Sequence, residues 1–332
     1  MTNAVLEVHD LSVVFETFEG RYNALNNINV TINQSEVIGL VGESGCGKST
    51  LALAVMGLLP RPHAKIPSGS ITFKGKNLLS FTEKEMEQIR GTDISMIFQE
   101  PLTSLDPLFT IGDQLSETIQ IKLQRAGENV RWNSGKVKTE VLNWMKRVGL
   151  ADPESAMERY PHEFSGGMRQ RVMIAMALAA EPRLMLADEP TSALDVTTQV
   201  QILRLVKSLV SQVKASVLFI SHDLAVVAQI ADRVAVMYAG MMVEEASVHE
   251  MFENPLHPYT QALLASFPKE EEVKKSKLVS IPGSVPNIAH IPPGCPFHPR
   301  CSFAKDICST TRPELRENSP GHRVACVLYD KS

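Results

Sequence analysis

The segment Gly42-Glu43-Ser44-Gly45-Cys46-Gly47-Lys48-Ser49-Thr50 lies between the apolar run 37–41 and a stretch of helical pattern beginning near Ser49. It predicts a strand, a glycine loop and a helix start, which together make a cradle for phosphate. Glycines let backbone N–H groups turn inward and approach an anion closely, while the free N–H groups and dipole of a helix N-terminus attract negative charge. In a G-x-x-x-x-G-K-[ST] loop the lysine reaches the β- and γ-phosphates and the hydroxyl ligates Mg²⁺, which assigns those tasks to Lys48 and Ser49. The rival reading is an ordinary glycine-rich turn. At average residue frequencies the whole pattern arises by chance in roughly one chain of this length in a hundred, so a nucleoside triphosphate site is the stronger reading.

The chain has 332 residues, a length that suits about two domains with a full hydrophobic core. Its 33 basic side chains nearly balance 37 acidic ones, for a formal net charge of -4, so no broad basic footprint for nucleic acid is present. Residues 1–7 carry neither a basic start nor an apolar core, and no run of about 18 apolar residues occurs. The chain is therefore expected to be neither secreted nor membrane-spanning by itself. Cys46 lies in the loop, whereas Cys295, Cys301, Cys308 and Cys326 crowd the C-terminal end.

Alternation over Val5, Leu6, Val8, Leu11 and Val13, then Ile28, Val30 and Ile32, predicts short antiparallel strands ahead of the loop. Ser70 to Gly75 adds one more, and Ile94 to Phe98 reads as a buried strand ending at Gln99. From Asp106 to about Tyr160 the pattern is helical, with Leu115, Ile119 and Ile121, then Val141, Leu142, Trp144, Met145 and Val148, separated by a polar stretch from Gln124 to Lys138. This predicts a helical insert. A helix from about Gly167 to Ala180, the strand 184–187, a helix from Val196 to Val213 and the strand 217–220 follow. Strands alternating with helices imply an α/β fold around a parallel sheet, with ligands at the carboxyl ends of the strands. Past about Pro255 proline and cysteine rise, periodicity fades, and the charged run 269–275 reads as a solvated linker.

The strand Leu184-Met185-Leu186-Ala187 ends in two carboxylates, Asp188 and Glu189, at the sheet's ligand edge. Asp188 is placed to hold Mg²⁺ and Glu189 to polarise an attacking water, although an acidic turn after a strand is as good a reading of these residues alone. Phe164-Ser165-Gly166-Gly167-Met168 precedes a helix and offers Ser165 and the Gly166 and Gly167 amides as a second anion-binding helix start. Ser192-Ala193-Leu194-Asp195 follows the acidic pair, and Ser221-His222-Asp223 closes the strand 217–220. Taken singly, Ser-Gly-Gly is a common turn and a lone histidine is more often a surface or capping residue.

In this order and spacing the five segments resemble the ATP-binding-cassette ATPases over about residues 4–250. The resemblance implies a RecA-like core sheet, an N-terminal antiparallel β subdomain and a helical subdomain at about 106–180, all within residues 1–254, followed by a small irregular cysteine-containing extension at 255–332. It implies that Gly42, Glu43, Ser44, Gly45, Cys46, Gly47, Lys48, Ser49 and Thr50 form the Walker A loop around ATP, with Gln99 the Q-loop glutamine. Gln99, Ser49 and Asp188 would then face Mg²⁺, Ser165 to Met168 form the signature, Asp188 and Glu189 the Walker B pair, Asp195 part of the D-loop, and His222 the switch histidine. Phe15 aligns with the aromatic that stacks on adenine, and Tyr22 is its rival. Two such cassettes pack head to tail, each signature covering the ATP on the other's Walker loop. The usual signature is Leu-Ser-Gly-Gly-Gln; Phe164 and Met168 stand at its first and last positions, so a contact from a final glutamine side chain is lost while the backbone donors survive.

The segments from Phe98 to Pro107 and from His257 to Leu264 resemble the dipeptide/oligopeptide (and nickel) importer ATP-binding subunits. This implies an ATPase at the cytoplasmic face of the inner membrane, peripheral to two transmembrane permease subunits, with a second and paralogous cassette and an extracytoplasmic substrate-binding protein. Transport of nickel or oligosaccharides, and a soluble ATPase acting on nucleic acid, are the alternatives. The four C-terminal cysteines, spaced C-x5-C-x6-C-x17-C, resemble the set that some family members use for a [4Fe–4S] cluster, with zinc, free thiols and disulfides as the other readings.

Overall fold

The computed structural model describes residues 3–18, 20–99, 104–266 and 281–330. Glu100 to Thr103, within the segment after Gln99, and the charged run 269–275 lie outside the described residues. The elements run β1 (Ala4–Thr17), β2 (Gly20–Asn33), β3 (Val37–Val41), α1 (Lys48–Met56), β4 (Ala64–Phe73), β5 (Lys76–Asn77), α2 (Glu83–Ile89) and β6 (Ile94–Ile97). They continue with α3 (Ile111–Arg125), α4 (Gly135–Arg147), α5 (Pro153–Met157), α6 (Gly166–Ala179), β7 (Leu184–Asp188), α7 (Val196–Val213) and β8 (Ser216–Ser221). Then follow α8 (Leu224–Ala228), β9 (Arg233–Tyr238), β10 (Met241–Ser247), α9 (Val248–Glu253), α10 (Pro258–Ala265), β11 (Arg316–Ser319) and β12 (His322–Val324). Two compact units, interleaved along the chain, hold them: Met1–Leu6, Ile32–Val37 and Phe73–Ile220 in the first, and Glu7–Thr31, Ile38–Thr72 and Ser221–Ser332 in the second.

In the first unit β6, β7 and β8 lie side by side and parallel, Ile94 opposite Leu184 and Leu184 opposite Ser216. Every residue of β7 and β8 is buried, which is why they read as unbroken apolar runs rather than alternating ones. The helix α6 packs on β6, α3 and α7. The insert forms as expected: α3 buries Ile111, Leu115, Ile119 and Leu123 at intervals of four, and α4 buries Val137, Val141, Trp144 and Met145. Ile121 departs from the expected face and is exposed, because residues two apart on a helix do not share a side. Thr110 and Ser134 cap these helices through the N–H groups of Asp113 and Val137, contacts that contribute about 1 kcal/mol each.

In the second unit β9 runs parallel to β3, with Ile38 opposite Arg233, and antiparallel to β10. The sheet then extends into the C-terminal region, where β12 pairs antiparallel with β10 (Glu244 opposite Val324) and β11 with β12. The strand that delivers the glycine loop and the strands of the C-terminal extension thus belong to one unit. The hairpin of β9 and β10 turns through Ala239 and Gly240 at φ 46° and 77°, the two left-handed residues that a tight hairpin turn needs. Where short strands are expected, β1 and β2 each run 14 residues. Asp10 and Asn27 adopt φ 47° and 48° within them, and side chains complete the bonding: the Asp10 N–H donates to Asn29 Oδ1 and the Asn27 N–H to Ser12 Oγ. Each strand so absorbs an irregular residue and continues.

Glu244 in β10 is fully buried, and three polar partners account for it. The backbone N–H groups of Leu256 and His257 donate to its oxygens at 2.7 and 2.9 Å, and His322 Nε2 lies 2.7 Å away. A buried carboxylate persists only with such partners, and here they tie β10 to the segment before α10 and to β12.

Candidate nucleotide site

The second unit builds the loop. Lys48 opens α1 with Gly47 as its cap at φ 110°, and Gly45 sits at φ 78°, both in the region that favours glycine. A Cβ on Gly42 would come within 2.2 Å of the Met237 carbonyl oxygen, and one on Gly47 within 2.9 Å of the Ala24 carbonyl oxygen. The turn is therefore seated directly on the backbone of β9 and β2. Ser44 and Gly45 form its exposed tip, Ser49 and Thr50 are half-buried, and Cys46 is buried with its thiol pushed up by that burial. Lys48 is buried and folded back into the loop, its Nζ donating to the carbonyls of Gly42 at 2.7 Å and Glu43 at 3.2 Å.

Behind the loop stands a seat that sequence reasoning missed. The Glu43 N–H donates to Tyr259 Oη at 3.0 Å, and the Glu43 carboxylate accepts two bonds from Arg300, at 2.8 and 3.1 Å. Tyr238, Tyr259 and Phe297 pack tilted or edge-on against one another with centroids 4.6 to 5.3 Å apart. His257 caps α10, its Nδ1 accepting the Tyr259 N–H at 3.0 Å, and burial pushes its pKa down to about 3. No local pattern announces Arg300, one basic residue in a proline-rich run; only its partners mark it. His222, also in this unit, is exposed, and Asp223 beside it caps α8. Phe15 and Tyr22, the two aromatic candidates for adenine, both lie half-buried on β1 and β2.

The first unit carries the acidic end of β7. Asp188 is the last strand residue and is 5% exposed. Glu189 follows at φ 45°, a left-handed conformation that costs a residue with a Cβ about 1 kcal/mol or more. Its N–H donates to the Ile220 carbonyl at 3.0 Å, and the Ser192 N–H and hydroxyl donate to its own carbonyl. Gln99, exposed just past β6, reaches Glu189 with Nε2 to Oε2 at 3.3 Å. Gln99 and Glu189 are thus brought together beside the carboxyl ends of β6 and β7. Asp195 caps α7, and the Thr198 N–H hydrogen bond holds its carboxyl below the usual range.

The second helix start, α6, is capped by Ser165, whose Oγ accepts the Met168 N–H at 3.3 Å. Ser165 and Gly166 are exposed, while a Cβ on Gly167 would meet Thr198 Cγ2 of α7 at 2.9 Å. Phe164 is buried with the Arg159 guanidinium 4.7 Å from its ring centre, so the departure at that position belongs to packing.

Cys295, Cys301, Cys308 and Cys326 all line one small cavity, together with Phe297, Phe303 and Leu328. Burial, helped by the three other sulfurs, pushes the Cys295 thiol up to about 11. Among the described residues no group of three His, Cys, Asp or Glu side chains stands in an arrangement that could hold a metal ion. The expectation of a cluster therefore rests on the donor set alone. Among the described residues no helix is long and apolar enough to cross a membrane.

The family model described as ABC transporter matches residues 25–192, and that described as Oligopeptide/dipeptide transporter, C-terminal region, matches residues 243–308. A probable peptide ABC transporter ATP-binding protein of Sinorhizobium fredii is 47% identical over 97% of this chain and 94% of its own. The dipeptide transport ATP-binding protein DppD of Bacillus subtilis is 45% identical over 98% of this chain and 95% of its own. Among solved structures, the ATP-binding cassette MJ0796, a dimer in a post-hydrolysis state bound to ADP and Pi, aligns with a TM-score of 0.63 at 26% identity over 73% of this chain and 98% of that one. With its glycine loop, acidic strand end and second capped helix start, the chain belongs to the ABC transporter ATPase family and carries the oligopeptide/dipeptide transporter C-terminal region.

Proposed function

We propose that this protein hydrolyses ATP to drive import of dipeptides or oligopeptides through a membrane transporter, working at the cytoplasmic face with two permease subunits and a second, paralogous cassette. The observation that carries it is the match at 44–47% identity, across nearly the whole chain, to relatives described as peptide transport ATP-binding proteins. The cassette is residues 1–254 and the importer-specific extension 255–332. An extracytoplasmic binding protein delivers the substrate to the permeases, and nucleic acid has no part.

The loop 42–50 holds the phosphates of ATP, with Lys48 leaving the Gly42 and Glu43 carbonyls to meet the β- and γ-phosphates and Phe15 stacking on adenine. The hydroxyl of Ser49, the Asp188 carboxylate and the Gln99 amide are hard oxygen donors of the kind Mg²⁺ takes, and that ion neutralises phosphate charge when it is bound. Glu189 orients and deprotonates the attacking water, His222 steadies the γ-phosphate, and Asp195 lines the approach. Ser165, Gly166, Gly167 and Met168 cap the γ-phosphate of the partner cassette's ATP. ATP therefore acts as a shared anion that draws two cassettes together, and its hydrolysis lets them part. The dimeric state described for MJ0796 supports this arrangement.

The donor set Cys295, Cys301, Cys308 and Cys326, lining one cavity but not gathered in a metal-holding arrangement, is what would hold a [4Fe–4S] cluster, with zinc as the alternative. A cluster would supply structural cross-linking or redox sensing. Iron, sulfide and visible absorbance in protein purified without oxygen test it; colourless protein with full zinc occupancy rejects it. For the main reading, Glu189→Gln is expected to bind ATP normally but hydrolyse it at least about 100-fold more slowly, and ATP-dependent peptide uptake into vesicles holding the two permeases should stop. Near-normal turnover removes Glu189 from its role, and uptake of nickel with no uptake of peptide replaces the substrate.

A further inference from the structure

The phosphate loop is gripped from the cysteine region at one residue, Glu43, by both its backbone and its side chain. Arg300 forms a two-pronged pair with the Glu43 carboxylate, and the Tyr259 hydroxyl takes the Glu43 N–H. Arg300 is itself fixed independently of the loop. Its Nε donates to the Pro282 carbonyl at 2.9 Å, Nη1 reaches Tyr238 Oη at 3.2 Å, and the side chain is 6% exposed. Tyr259 is fully buried between Tyr238 and Phe297. Both partners are therefore rigid, and a two-pronged arginine–carboxylate pair adds geometry as well as attraction.

We propose that Arg300 and Tyr259 are positioning residues that hold the phosphate loop in its anion-receiving shape, so that nucleotide affinity depends on the fold of the C-terminal cysteine region. The inference rests on the reading of residues 42–50 as the nucleotide site. A loop with Gly42, Gly45 and Gly47 has large conformational freedom when untethered, and ordering it would oppose binding. Fixing Glu43 at two points removes that cost before ATP arrives. Arg300 directly precedes Cys301, one of the four thiols lining the C-terminal cavity. Whatever orders those cysteines therefore acts next to the guanidinium that holds Glu43.

The test measures Mg-ATP affinity and hydrolysis for the full chain with its partner cassette, alongside hydrogen exchange of residues 42–50. Arg300→Met is expected to weaken ATP binding about tenfold, to raise KM more than it lowers kcat, and to speed exchange in the loop, with the thermal midpoint nearly unchanged. The double exchange Glu43→Arg with Arg300→Glu should recover most of the affinity that either single charge reversal loses. Tyr259→Phe should give a smaller loss of the same kind. If Arg300→Met does not fold, Glu43→Gln carries the same measurement from the loop side. ATP affinity and loop exchange within twofold of wild type in the folded variant, or charge reversals that add without rescue, overturn the proposal. Failure of the unmodified protein to bind ATP would instead overturn the nucleotide reading, leaving loop exchange to decide whether the clamp exists.

Discussion

The two helix starts proposed to offer backbone N–H groups to phosphate are built in opposite ways. At α1 the turn is wedged against the backbone of its neighbours, has glycines where a Cβ would collide, and is pinned at Glu43 by Arg300 and Tyr259. At α6 a single serine caps an exposed helix end, and a Cβ on Gly166 would meet nothing closer than Leu194 Cδ2 at 4.0 Å. The first loop is tied to its neighbours before any ligand arrives. The second is open and minimal, which suits a surface that acquires its anion from a partner.

Substitutions at the two starts should therefore behave differently. The largest effect is expected at Gly47→Ala, where a Cβ at φ 110° would lie 2.8 Å from Leu25 Cδ2; it should lower stability by about 3 kcal/mol in a urea melt and abolish ATP binding. Near-wild-type behaviour would erase the contrast. Next comes acid sensitivity of the seat behind α1. His257 titrates near 6.5 when unfolded but is held neutral by burial, with its folded pKa pushed down to about 3, so the unfolded chain binds the extra proton between those values. Its contribution to stability is complete above about pH 6.5 and is lost as pH falls, by about 2 kcal/mol at pH 5. His257→Asn, which keeps an acceptor for the Tyr259 N–H, should flatten that part of the stability–pH curve, and an unchanged slope would move the acid sensitivity elsewhere. A smaller effect belongs to Ser165→Ala, expected to cost about 1 kcal/mol from the lost cap while leaving ATP binding by the isolated chain unchanged. Its ATPase activity with the partner cassette should nevertheless fall steeply. Equal losses in the isolated and paired protein would show that α6 serves its own chain.

Where spacing alone dictates geometry, the sequence was readable. The glycine pattern of 42–50 demanded positive φ and received it at Gly45 and Gly47, and α7 spans Val196–Val213 as its apolar repeat predicts. Legibility failed where a distant partner decides. The pair β9 and β10 was hidden because Glu244 and Glu245 interrupt an apolar run, and their burial makes sense only with His322, Arg323 and Arg233 beside them. The 14-residue lengths of β1 and β2 depended on Asp10 and Asn27 accepting a left-handed backbone, which their residue types permit but do not require. Arg300 lies 257 residues from Glu43, and no local pattern encodes such a pairing. Motif order identified the chemistry, while the support of the loop became visible only in three dimensions.

The central claim is that one ATP is held jointly by the α1 loop of one cassette and the α6 start of another. Sedimentation of Glu189→Gln protein with its partner cassette at saturating Mg-ATP measures it most directly. A stable dimer that dissociates when ATP is removed, and that fails to form when Ser165 is also replaced, is the predicted result; material that stays monomeric under those conditions would contradict it.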